Sequence, residues 1–239
     1  MELTKKDDFV ELKFTGYAQE NIFDSNIEED LKKINSEIKP IKTIAVIGQK
    51  MVVSGLDKEL KGKEIGKEYN ITISAKEGFG DRNRELVKTI PLRVFTEKNL
   101  EPKAGMVFNL DDTLAKIITI SGARVVVDFN NPLAGKELKY KFIIIRKIED
   151  EKEKIESFFS YFFRFTPEFE ITEKSIKVKG PKHLEQIVKM FKEKFKELEG
   201  KELEFELTQE KKKEKKAEDK KENKEENSEN ENKEENKSI

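Results

Sequence analysis

Apolar side chains near the start of the chain recur at every second position. Val10, Leu12 and Phe14 share one side and Glu11, Lys13 and Thr15 the other, which predicts a half-buried strand. Past Gly16-Tyr17 and the segment Ile22-Phe23-Asp24-Ser25-Asn26, a polar loop or short helix leads to Pro40, and residues 41–47 read as a strand closed by Gly48. Ser54 and Asp57 have the spacing of a capping box at the head of a short helix stopped by Gly62. Gly66 then turns the chain into an alternating strand over 69–73, and Gly78-Phe79-Gly80 ends this block. The next stretch carries strand patterns at 86–90, 106–110, 114–120 and 124–129, a helical turn around Val94-Phe95, and turn glycines at 105 and 122. It reads as a small antiparallel sheet. A turn rich in Asn, Pro and Gly, Asn130-Asn131-Pro132-Leu133-Ala134-Gly135, returns the chain to a strand over 138–145.

After residue 150 the period changes. Ile155, Phe158, Phe159, Phe162 and Phe163 fall on one helical face. Phe169/Ile171 and Ile176/Val178 flank Glu173-Lys174 as a hairpin. Leu184, Ile187, Val188, Phe191, Phe195 and Leu198 form a second helical stripe ended by Gly200, and Leu203, Phe205 and Leu207 alternate as a last strand. The order is α-β-β-α-β. Two stripes so rich in Phe exceed what a unit of this size easily hides, which predicts an apolar interface used for self-association, as a homodimer, or for client capture. From 208 to 239 there is no aromatic residue, and nearly every position is Lys, Glu, Asn, Asp or Ser. Such a segment cannot bury enough apolar area to offset its chain entropy and is expected to be a disordered, solubilising tail, basic at 211–216 and acidic at 222–235.

That tail accounts for a composition of 41% charged and 35% hydrophobic residues in 239. Lys and Arg number 48 against 49 Asp and Glu, a balance that favours no polyanionic partner, so nucleic acid is not expected. The first residues lack the apolar core of a signal peptide, and no run approaches the ~18 apolar residues of a membrane span, so a soluble cytoplasmic protein is expected. With no cysteine there is no disulfide framework, thiolate metal site or thiol nucleophile. The single histidine, His183, stands near Pro181 at a helix start, where positive charge is disfavoured, and reads as a surface or cap residue. Asp7-Asp8 and Asp111-Asp112 read as turn residues. No metal or cofactor is expected, and hydrolysis, redox chemistry and phosphoryl transfer have no visible machinery.

One reaction needs almost none. Rotating an X–Pro bond breaks no covalent bond; it passes a twisted amide that has lost its resonance, over a barrier of ~18–20 kcal/mol. A water-poor apolar cleft with a few oriented polar groups can favour that twisted state.

Five segments carry a resemblance. They are Gly16-Tyr17 through Phe23-Asp24-Ser25, then Val52-Val53-Ser54-Gly55-Leu56-Asp57, Gly78-Phe79-Gly80, the junction from Val125 to Lys136, and Lys139-Tyr140-Lys141-Phe142. Together they resemble SlyD-like FK506-binding-type (FKBP) peptidyl-prolyl isomerases, with Asn131 where the family usually carries His. The resemblance implies an α+β fold in which an FKBP-type antiparallel sheet, from residues 1–82 and 136–150, wraps a short helix. It also implies an inserted β-rich flap at 83–135, a C-terminal α/β domain at 151–207 and the tail at 208–239. The pocket residues it implies are Phe14, Phe23, Asp24, Val52, Val53, Leu56, Phe79 and Tyr140. Phe14 and Phe79 stand where family members carry Tyr in one or both places, which removes hydroxyl donors and predicts lower turnover.

By the same resemblance the flap binds unfolded or partly folded polypeptide clients and delivers their prolyl bonds to the pocket. Val94, Phe95, Leu100, Met106 and Phe108 are the candidates for that contact, each equally readable as core of so small a unit. The C-terminal extension resembles that of longer archaeal members and replaces the His-rich tail of many bacterial ones, so nickel binding is not expected. The implied function is a peptidyl-prolyl cis-trans isomerase with folding-chaperone activity; the alternative is a non-catalytic holdase on the same fold.

Overall fold

The computed structural model describes residues 2–35, 37–110 and 113–208. Asp111-Asp112 and the charged tail from 209 onward lie outside the described residues. The chain forms two compact units, Met1–Ser157 and Phe158–Ile239. Strands β1 (Phe9–Ala18) and β2 (Asn21–Ser25) are followed by helix α1 (Glu28–Ile34), β3 (Thr43–Val46), α2 (Ser54–Glu59) and β4 (Glu68–Ile73). Next come β5 (Val87–Pro91), α3 (Leu92–Thr96), β6 (Val107–Leu110), β7 (Thr113–Ser121) and β8 (Arg124–Asp128). Strand β9 (Leu138–Lys147) leads into α4 (Glu151–Phe162), β10 (Glu168–Ile171), β11 (Ser175–Gly180), α5 (Leu184–Glu199) and β12 (Glu202–Leu207). Among the described residues, no helix is long and apolar enough to cross a membrane.

The first sheet is antiparallel throughout, in the order β2-β1-β9-β4, with β3 also paired to β1. The alternation read from Val10, Leu12 and Phe14 puts these side chains into one core with Ile73, Leu138, Tyr140, Phe142 and Ile144, joined by Leu56 of α2 and by Leu60 just after that helix. Gly55 is what lets α2 lie so close to the sheet, because a Cβ there would sit 2.3 Å from the Ile73 side chain. Two local expectations are corrected. Ser54 is the first helical residue rather than a cap; Val53 takes the N-cap position without a side-chain bond, and Asp57 bonds elsewhere. Thr15, expected on the polar side, is buried, because Ser25 and Asp30 supply its hydroxyl with partners.

The second sheet, β5-β8-β7-β6, is also antiparallel and has its own core of Phe95, Ala115, Ile117, Val125 and Val127. Phe108 meets Phe95 edge-on at 5.6 Å. Along β7, Ala115 and Ile117 point into this core, and Leu114, Lys116 and Ile118 are left exposed. In the unit from Phe158 onward, β10 and β11 are antiparallel, and β12 joins β11 in parallel after the α5 crossover. Helix α5 ends at Gly200, whose left-handed backbone (φ 71°) suits glycine. His183 is exposed before α5 and makes no side-chain capping bond.

The premise of an exposed Phe surplus is corrected here. Phe158, Phe159 and Phe195 are fully buried and Phe163 nearly so. Phe158 touches Phe162 at 4.6 Å and Phe195 at 5.0 Å, so the stripes solvate one another within the unit. Phe165, Ile171, Met190 and Leu207 are the large apolar side chains that this unit leaves exposed among the described residues.

Candidate isomerase site

One rung of the first sheet organises the site. Gly16 of β1 pairs with Asp24 of β2 on one side and Tyr140 of β9 on the other, and Tyr140 pairs onward with Ile71 of β4. Paired residues across antiparallel strands point to the same face, so Asp24 and Tyr140 stand on either side of a position with no side chain. Between Gly16 and Tyr17 the β1–β2 register slips, and Phe23 has no partner across the ladder. A bulge re-aims the side chain it carries. Phe23 consequently lies over Gly16, and a Cβ on Gly16 would come within 2.8 Å of its ring and 3.0 Å of Tyr140.

The aromatic wall grows from that contact. Phe23 meets Tyr140 at 5.8 Å and Phe79 at 5.9 Å, both edge-to-face, and Phe14 lies 6.1 Å from Tyr140. Such perpendicular contacts set the positive ring edge against the negative face. Val52 and Val53, half-buried in the turn before α2, pack against the same core, with Leu56 buried beside them. All eight residues expected to line a pocket therefore belong to one neighbourhood, although they come from five separate stretches of chain.

Two polar groups stand at this wall. Asp24 is exposed as a residue, yet its carboxyl is raised above its ordinary value, first because neighbouring atoms displace its water, an effect opposed by the Ser25 backbone N–H. Burial pushes the Tyr140 phenol well above its usual range, and the nearby Asp24 charge adds to this. Tyr140 thus stays a neutral O–H donor at any ordinary pH. Among the described residues its hydroxyl has no hydrogen-bond partner, so its donor is available to a bound carbonyl. Phe14 and Phe79 carry no hydroxyl that could share that task.

Several positioning residues escaped the sequence reading. The Phe14 N–H donates to Asn26 Oδ1 at 2.8 Å, and Asn26 Nδ2 donates to the Leu12 carbonyl at 2.7 Å. The Ser25 hydroxyl donates to the Phe14 carbonyl at 3.0 Å, while Thr15 donates to Asp30 at 2.7 Å. These bonds pin the end of β2, and so Asp24, to the strand that carries Phe14. The available signal was Ser25-Asn26, two residue types that bond locally to backbone. Asp57 is a second case: its buried carboxylate accepts the N–H groups of Gly48 at 2.9 Å and Lys50 at 3.1 Å, shaping the turn that leads to Val52 and Val53.

The expected client-binding residues are placed differently. Phe95 is buried at the centre of the flap core, with Leu100, Met106 and Phe108 packed half-buried around it. Val94 is half-buried. Among the exposed apolar side chains of this region, Leu86, Val107, Leu114, Ile118 and Ile120, the three at Val107, Leu114 and Ile118 line a common cleft. Only the alternation of Leu114, Lys116 and Ile118 against Ala115 and Ile117 hinted at them.

An antiparallel sheet packed on a short helix thus gathers Phe14, Phe23, Phe79 and Tyr140 around one rung, with the Tyr140 hydroxyl beside Gly16. Comparison with known sequences identifies the class. The profile of the FKBP-type peptidyl-prolyl cis-trans isomerases matches residues 2–110, and the profile described as FKBP26, IF domain matches 88–133. A short-type peptidyl-prolyl cis-trans isomerase of Methanocaldococcus jannaschii is 34% identical over 143 residues, covering 58% of this chain and 90% of the relative. The SlyD isomerase of Haemophilus influenzae is 34% identical over 112 residues, 45% of this chain and 58% of the relative. That of Helicobacter pylori is 27% identical over 157 residues, 64% and 79% respectively. The chain belongs to the FKBP-type peptidyl-prolyl cis-trans isomerases, on the SlyD-like side of the family.

Proposed function

We propose that X–Pro bonds of polypeptides rotate in the hollow walled by Phe14, Phe23, Phe79 and Tyr140, with Val52, Val53 and Leu56 beneath. The observation that carries this reading is the Asp24–Gly16–Tyr140 rung, which sets one O–H donor and one carboxyl at the edge of an aromatic wall. A planar amide is strongly solvated, whereas the twisted amide loses resonance and part of its dipole. Displacing water from the hollow raises the planar state more than the twisted one, and a Tyr140 hydrogen bond to the carbonyl holds the bond at the right depth. Each ~1.4 kcal/mol taken from the barrier is a tenfold gain in rate.

The same reading makes residues 1–82 and 136–150 the isomerase domain, 83–135 a client-holding flap, and 151–207 a further domain followed by a charged tail. The match of 88–133 to the FKBP26 IF profile supports the flap as a unit in its own right. A chaperone role, a cytoplasmic setting and an archaeal source are parts of this reading that rest on the sequence, whereas the homodimer expected from exposed Phe stripes loses that support with Phe158, Phe159 and Phe195 buried.

The test is a prolyl-peptide isomerisation assay on several X–Pro peptides. Wild type should exceed the uncatalysed rate; Tyr140→Phe and Asp24→Ala should each reduce it at least fivefold while unfolding transitions stay cooperative. A wild-type rate equal to background on every peptide would favour the holdase, for which the missing hydroxyls of Phe14 and Phe79 are the specific support.

A further inference from the structure

A cleft of about 290 Å³ opens beside the exposed face of the flap sheet. One wall is apolar, formed by Val107 of β6 and by Leu114 and Ile118 of β7. These three are far more exposed than a small domain's sheet residues need be, at 51%, 49% and 42%. Lys116 stands between Leu114 and Ile118 along β7 and pairs with Val107 across the hairpin. The rim carries Arg82 and Lys136 as well. The sole carboxylate among the described lining residues, Asp128, is already engaged by Arg82 and by two hydrogen bonds from Asn130. Asp128 stands across the β7–β8 ladder from Lys116, but among the described residues neither Lys116 nor Lys136 enters an ion pair, so the described lining sets three cations, Arg82, Lys116 and Lys136, against one carboxylate.

The opposite wall is the turn at 131–135, where Pro132 and Ala134 face the cleft. Leu133, between them, packs instead against the isomerase core that contains Phe14 and Tyr140. The Gly135 N–H donates to the Gly80 carbonyl at 2.8 Å, directly after Phe79. One turn of chain therefore separates the cleft from the aromatic hollow.

We infer that this cleft, rather than the side of the flap bearing Phe95, receives a client: an extended polypeptide segment with apolar side chains flanked by Asp or Glu. The inference rests on reading the flap as a client-holding unit and names the surface and the sequence chemistry it selects. Leu114 and Lys116 alternate along one strand face and Ile118, the unpaired residue of a bulge in β7, lines the same cleft, so a chain lying extended beside them meets an apolar, a cationic and an apolar contact in turn. An apolar segment alone would leave both ammonium groups without a partner; one flanked by carboxylates neutralises them in a partly enclosed site, where screening is weaker.

Two fluorescently labelled, proline-free peptides test this on the full chain. They share the same Leu and Val positions and differ only in carrying Glu or Lys between them. Anisotropy titration at low salt should show the Glu peptide binding at least tenfold tighter, and 0.5 M salt should shrink that preference several-fold. The double variant Lys116→Glu, Lys136→Glu should reverse it, and Leu114→Asn should weaken the Glu peptide at least fivefold. Both variants change exposed or half-exposed side chains, and their thermal transitions check that they fold. Equal affinity for the two peptides, a preference unmoved by charge reversal, or binding of neither would overturn the assignment. If wild type still slows aggregation of an unfolded protein while charge reversal changes nothing, the cleft assignment fails and the client-holding reading survives. If no client is held at all, both fall. Turnover of a short X–Pro peptide, measured in parallel, bears on the isomerase reading alone.

Discussion

Asn83 and Asn130 bond to each other in both directions. The Asn83 N–H donates to Asn130 Oδ1 at 2.8 Å, and Asn130 Nδ2 donates to the Asn83 carbonyl at 2.9 Å. They sit on the two chain segments that enter and leave the flap sheet. The same Asn130 amide donates to Asp128, whose other oxygen takes Arg82. Although burial alone would raise the Asp128 carboxyl, these bonds from Asn130 and the Arg82 charge hold it below its ordinary value. The two crossings are thereby tied at one point, which makes the flap a closed excursion.

A deletion can use that tie. Removing residues 84–129 and joining Asn83 to Asn130 through a short Gly-rich turn should leave a folded isomerase domain, because the ends already lie within hydrogen-bonding distance. The cut must spare Leu133, which belongs to the isomerase core. Short-peptide turnover should remain within a few-fold of wild type, and refolding of a proline-limited protein should slow by tenfold or more. Equal loss of both activities would show that the flap completes the catalytic hollow.

Gly16→Ala should disable the hollow more than it destabilises the fold. The added methyl meets the Phe23 ring at 2.8 Å, so Phe23 must swing away from Tyr140. Overpacking of this kind costs ~1–3 kcal/mol, and turnover should fall at least tenfold. In a Phe23→Ala background the closest clash is gone and the 3.0 Å approach to Tyr140 is what remains, so the further effect on rate should be smaller. A double-mutant cycle on peptide turnover checks this; additive losses would contradict the steric account.

Asp57→Ala should loosen the turn that presents Val52 and Val53. It frees the N–H groups of Gly48 and of Lys50, a non-glycine residue held at φ 56°. Leaving such donors without a partner costs ~1–3 kcal/mol. Because Asp57 acts through the turn, the kinetic signature expected is a raised KM with a smaller change in kcat. Asp57→Asn, which keeps one acceptor, should recover part of the loss.

Glu153 supplies an acid-sensitive contribution to stability. Hydrogen bonds from Arg146 and Lys42 hold its carboxyl at about 2, against an ordinary value of 4.5. A carboxylate whose pKa is lower in the folded state stabilises the fold above its unfolded value and loses that effect as pH falls towards the folded one. Wild type should exceed Glu153→Gln by about 1 kcal/mol at neutral pH, modest because its partners are half-exposed. The gap should close between pH 4.5 and 2, as followed by thermal unfolding of both proteins.

Much of this fold is local in origin and was legible in the chain. The alternation at Val10, Leu12 and Phe14, the Phe stripes of α4 and α5, and the Gly200 stop each report which face of a single element is apolar. The approximate positions of the strands and helices follow from such patterns. The motifs around Asp24, Val53, Phe79 and Tyr140 marked the site residues through family resemblance.

What the tertiary structure decided concerns partners that meet from distant segments. Thr15 is polar and would be solvent-facing by its place in the alternation, yet Ser25 and Asp30 bury it by meeting its hydroxyl. Phe95 is as apolar as Phe23, but one is core and the other lies half-buried over Gly16, because a β-bulge and the empty position at Gly16 redirect only the latter. Lys116 and Lys136 of the cleft stand 20 residues apart in sequence and share a surface only because β7 and the 131–135 turn face each other. Periodicity along a chain records the exposure of one element; whether a buried hydroxyl is satisfied, a ring has room or a charge lacks a counter-charge depends on side chains that only folding brings together.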